Sequence, residues 1–93
     1  MAIHAYVFIE TTPGKPSQVA DSVARLPGVR MAHAVTGSFD VIAFIEAESV
    51  AALGEFVSMQ VHRLPGVVKT TTNVVVGRGG GSVDQAPESR DAT

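Results

Sequence analysis

Arg25-Leu26-Pro27-Gly28-Val29 returns without change as Arg63-Leu64-Pro65-Gly66-Val67. What flanks the two copies decides the fold. Ahead of the first, from Pro16 to Arg25, Val19, Val23 and Leu26 fall three or four residues apart, and Pro16 suits a first helical turn. Ahead of the second, Val50, Leu53, Val57, Val61 and Leu64 keep the same spacing behind Ser49, a good N-cap, with Gly54 a slight weakness inside the helix. Pro-Gly stops each helix, and a valine-led strand follows each stop.

Working outward, residues 2–10 alternate Ile3, Ala5, Val7 and Ile9 against His4, Tyr6 and Phe8, and Glu10-Thr11-Thr12-Pro13-Gly14 closes that strand with turn chemistry. Residues 29–36 predict a second strand, Gly37-Ser38-Phe39-Asp40 a turn, residues 41–47 a third strand and residues 67–76 a fourth. The chain is therefore two β-α-β halves joined by a hairpin. Right-handed crossovers then give an α+β, ferredoxin-like βαββαβ domain, a four-stranded antiparallel sheet with strands 1 and 3 central and both helices on one face.

The domain is expected to occupy residues 1–77 of the 93, because composition changes abruptly at Gly77. Residues 78–93 are Gly-rich and then polar, offer little apolar surface to bury, and predict a disordered tail. Gly79-Gly80-Gly81 is followed by no Lys-Ser or Lys-Thr helix, so it reads as tail rather than as a phosphate loop.

Composition excludes several functions. The sequence has no cysteine, which removes disulfides, thiolate zinc sites and cysteine nucleophiles and agrees with a cytoplasmic setting. A formal net charge of −2 lacks the basic footprint of a direct nucleic-acid binder. No apolar run approaches the roughly 20 residues of a membrane span, and no signal core follows Met1. His4, His33 and His62 lack metal-ligand spacing, and Ser17, Ser38, Ser49 and Ser58 have no histidine placed to activate them, so no metal, cofactor or catalytic residue is assigned.

Helices can cover only one face of such a sheet. Tyr6, Phe8, Ile42 and Phe44 fall on the other face, and contiguous apolar patches of that kind usually mark an interaction surface. These four residues are the expected oligomer interface, through which the sheet forms a homodimer.

Thr36, Gly37, Ser38, Phe39 and Asp40 form the expected ligand site. Glycine lets the backbone approach a ligand, the amides near Gly37 and Ser38 suit a carboxylate, and Asp40 suits an ammonium group, the pairing an amino acid needs. On these residues alone a plain turn, with Gly37 at positive φ and Asp40 accepting turn hydrogen bonds, is the commoner case and stays open. Thr70, Thr71 and Thr72 are supporting candidates that also suit a strand.

Leu26-Pro27-Gly28-Val29, Ala34-Val35-Thr36-Gly37-Ser38-Phe39-Asp40-Val41 and Leu64-Pro65-Gly66-Val67-Val68-Lys69-Thr70-Thr71-Thr72 resemble the effector-binding domain of the Lrp/AsnC regulators over residues 2–76. The resemblance implies sheet-paired dimers, assembly into octamers or similar rings, and an amino-acid effector held between dimers at Gly37 and Asp40. Such regulators carry an N-terminal helix-turn-helix, whereas here Met1 leads directly into strand 1, so a stand-alone form without its own DNA-reading element is expected. Two alternatives remain: a small cofactor-free enzyme of the dimeric α/β barrel type, and a ligand-independent adaptor for full-length regulators of this family.

Overall fold

A computed structural model describes residues 2–77 and residue 79. The element order is β1 (Ile3–Thr11), α1 (Pro16–Ala24), β2 (Val29–Ala34), β3 (Val41–Ala47), α2 (Val50–Phe56) continued by a π-helical turn (Val57–Val61), and β4 (Val67–Val74). The sheet order is β2-β3-β1-β4 with every pairing antiparallel, so β1 and β3 are central as the strand pattern predicts. The expected disordered tail over residues 78–93 lies outside the described residues, Gly79 apart.

Alternation along the central strands builds the core. Ala5, Val7 and Ile9 of β1 and Val41, Ala43 and Ile45 of β3 point to the helical side and are buried. Val19, Ala20 and Val23 of α1 meet them, together with Leu53, Val57 and Val61 from the second helical segment. Ser49 caps α2 by accepting the Ala52 amide at 3.0 Å, and Pro16 opens α1 where its missing N–H costs nothing.

The two Pro-Gly junctions are alike in structure as well as in sequence. Leu26 N–H donates to Val23 at 3.0 Å and Val29 N–H to Leu26 at 3.2 Å; Leu64 to Val61 and Val67 to Leu64 repeat the pair at 3.1 and 3.2 Å. Gly28 and Gly66 have φ of +90° and +94°, the left-handed region that glycine enters freely. Each glycine carbonyl then accepts from the end of a central strand, Gly28 from Glu46 at 2.8 Å and Gly66 from Thr12 at 2.9 Å. A side chain at Gly28 would bring Cβ within 2.9 Å of the Glu46 carbonyl oxygen.

The halves differ in helix length. Arg63 lies 14 positions after the Ser49 cap, whereas Arg25 lies 10 after Lys15, which caps α1. Four extra residues exceed one α-helical turn of 3.6, and the wider π-turn takes up the excess, with His62 N–H donating to Val57 at 2.8 Å. The continuous α-helix expected from Val50 onward therefore changes to π geometry at Val57.

Strand ends also differ from the sequence boundaries: β1 runs on through Glu10 and Thr11, which pair with β4 instead of belonging to the turn. β2 stops at Ala34 rather than Thr36, because Val35 N–H turns to the Asp40 carbonyl at 2.9 Å and closes the loop there. β4 stops at Val74 rather than Val76, with Val75 N–H making one further bond to His4 at 2.8 Å. α1 stops at Ala24, and Arg25 is its C-cap.

Candidate functional site

The sheet face away from the helices carries a continuous apolar centre. His4, Tyr6 and Phe8 of β1 stand opposite Glu46, Phe44 and Ile42 of β3, and the next strand sets Met31 against Phe44 and His33 against Ile42. The rings pack on one another within the chain. His4 stacks on Phe44 with centroids 5.4 Å apart and planes 8° from parallel, and Tyr6 leans on Phe44 at 4.8 Å. Tyr6 is still 36% exposed, while Phe8, Ile42 and Phe44 are half-buried by their neighbours on the sheet.

Charge gathers at the ends of this face. At one end Arg30 pairs with Glu46 at 2.8 Å, and His4 Nε2 lies 3.8 Å from the same carboxylate. At the other end Glu10 stands opposite Lys69 in the β1–β4 register. An apolar core with a polar rim is the general anatomy of protein–protein interfaces.

The 36–40 loop leads from β2 into β3, and β1 holds its second half. Asp40 N–H donates to the Ile9 carbonyl at 2.9 Å, Thr11 N–H donates to Asp40 Oδ2 at 2.8 Å, and Phe39 lays its ring on Phe8 with centroids 5.1 Å apart. Phe39 and Asp40 are half-buried accordingly, whereas Thr36, Gly37 and Ser38 are exposed. Gly37 has φ of +111°, and a Cβ there would meet nothing within 4 Å, so the glycine serves backbone conformation rather than close packing.

Asp40 differs from both readings open at the sequence level. Its carboxylate reaches across to a strand 29 positions earlier instead of closing its own turn, and one oxygen is committed there. The main-chain amide is what Thr11 contributes; its Oγ1 is buried without a hydrogen-bond partner. Neither the Thr11 contact nor the Phe8–Phe39 pair has a local sequence signal, since both join residues far apart in the chain. Met31 and His33 are further members of the open face that the sequence does not signal, because a bulge between Val29 and Met31 breaks the alternation counted from Val29.

Other candidates disperse. Thr71 shares the open face beside Phe8, while Thr70 and Thr72 stand opposite Ile9 and Val7 on the helical side, and β1 separates all three from β3. Ser49 is occupied as a helix cap, and Ser58 Oγ donates to the Glu55 carbonyl at 3.4 Å. Among the described residues, no group of three or more His, Asp or Glu side chains is placed to hold a metal ion, and no helix is long and apolar enough to cross a membrane.

Comparison with known proteins gives this architecture a class. Residues 4–78 match the family model of the Lrp/AsnC ligand binding domain, and the chain belongs to that family. Its relatives include an uncharacterised HTH-type transcriptional regulator of Pyrococcus furiosus, 30% identical over 73 residues, which cover 75% of this chain and 49% of that protein. The chain thus spans about half the length of the curated relatives it matches. The solved structure of TTHA0845 from Thermus thermophilus superposes with a TM-score of 0.78 at 26% identity, over 85% of this chain and 99% of that one. A Neisseria meningitidis transcriptional regulator, solved as a complex with L-Met, superposes with a TM-score of 0.76 at 20% identity over 91% of this chain and 56% of that one.

Proposed function

We propose that this chain is an oligomerising regulatory module whose effector is an amino acid, bound at the 36–40 loop between dimers that form through the open sheet face. The observation that carries this reading is the apolar centre of that face, which the chain's own helices leave uncovered. Burying even ~400 Å² of it per subunit is worth on the order of 10 kcal/mol before the costs of association. Residues 1–77 are the functional unit, and the partner is a second copy of the chain or a full-length regulator of the same family.

In the loop, the exposed amides near Gly37 and Ser38 receive the effector carboxylate. Asp40 Oδ2 fixes the loop on Thr11, and Oδ1 is the atom offered to the ammonium group. Binding then shifts assembly by the effector's differential affinity for the oligomer in which the pocket is complete, and by no more than that. Support also comes from membership of a ligand-binding family of regulators and from the L-Met complex of the Neisseria relative, which favour regulation over the barrel-type enzyme.

The test is solution mass measured by light scattering with and without each proteinogenic amino acid, beside calorimetric titration. The expected outcome is an oligomer whose size or stability responds to one or a few amino acids. No heat and no response across the set would reject direct sensing and leave the adaptor. Asp40→Asn keeps an acceptor for Thr11 while removing the charge, so a sensor loses its response and an adaptor keeps its partner.

A further inference from the structure

The 36–40 loop has a fixed root and an open crown. Phe39 and Asp40 are pinned to β1 by one ring contact and two hydrogen bonds, while Thr36, Gly37 and Ser38 are exposed. The ring contact is the informative one, because Phe8 belongs to the open sheet face and not to the loop. Phe8 lies on the same side of β1 as Tyr6, two residues along, and stands directly across from Ile42 of β3. One side chain of the loop therefore touches the surface on which a second copy is proposed to sit.

We propose that Phe39 couples the two sites, so that covering the sheet face orders the crown of the loop, and holding the crown strengthens association through the face. This rests on the function proposed above and deepens it. A partner seated over Phe8 restricts that ring, which restricts Phe39 against it, and the peptide units from Ser38 back to Thr36 lose freedom in turn. Linkage makes the effect mutual: whatever factor association contributes to binding at the crown, binding returns to association. Phe39 is a positioning residue in this scheme, and an aromatic pair of this kind sets the size of the factor at about two- to tenfold.

Hydrogen exchange at the Gly37 and Ser38 amides of the full chain tests the coupling without an effector. Exchange is followed below and above the protein concentration at which sedimentation shows the mass to double. Protection at both amides is expected to rise on association in the parent chain and in Phe39→Tyr, which keeps the ring. It should stay flat in Phe39→Ala, whose association is weakened about two- to tenfold, and Phe39→Leu should fall between.

Association without any change in crown protection, or an undiminished rise in both Phe39→Ala and Phe39→Leu, overturns the coupling while leaving the sheet-face reading intact. A mass that never doubles overturns the sheet-face reading itself, and the coupling with it, by sedimentation alone.

Discussion

Ala5, Val7 and Ile9 of β1 and Val41, Ala43 and Ile45 of β3 are closed to water, whereas Tyr6, Phe8, Ile42 and Phe44, one residue along on the same two strands, form the face the helices do not reach. The inner set is small and aliphatic, fitting between sheet and helices at close-packed density. The outer set is larger and partly aromatic, and its ends carry Arg30, Glu46, Glu10 and Lys69. The same pleat thus presents a core to one side and a partly exposed apolar face to the other, the face proposed for docking. Being apolar does not distinguish the two; ring size and the charged borders do.

Three substitutions separate the faces. Ile45→Ala on the inner face should have the largest effect, a loss of about 2–5 kcal/mol of folding stability, read as a lower urea midpoint at any protein concentration. An equal loss from Phe44→Ala at high dilution would break the comparison by making the outer face part of the monomer's core. Phe44→Ala should instead weaken association by about 2 kcal/mol, the scale of a central interface residue, measured by sedimentation, with a smaller change in the midpoint at high dilution. Glu46→Gln should have the smallest effect: its pair with Arg30 is exposed on both sides, so removal is expected to cost at most about 1 kcal/mol and to matter less as salt rises. A large, salt-independent loss would show that this border is structural.

Much of the fold was legible because its signals are local. Period-two alternation assigned each β1 and β3 residue to its face, and Pro-Gly marked both helix exits. The π-turn at Val57–Val61 was not legible: no residue there demands it, and it follows from fitting four extra residues between a cap and a junction that must end in the same place. The candidate loop was found from Gly37 and Asp40, but its attachment was hidden. Thr11 and Phe8 lie 29 and 31 positions from their partners, and only the closed sheet brings them near.

The likeness of the two Pro-Gly junctions reaches beyond their own conformation. Because β1 and β4 run antiparallel with Val74 beside Ala5, the end of the second half lies next to the start of the first, as β2 does to β3. Such a chain lends itself to circular permutation, with a short turn joining Val76 to Ile3 and new termini opened among the exposed residues Thr36, Gly37 and Ser38. That recut molecule would keep every strand pairing while cutting the crown of the loop, turning a duplicated architecture into a means of separating the proposed assembly from the proposed sensing.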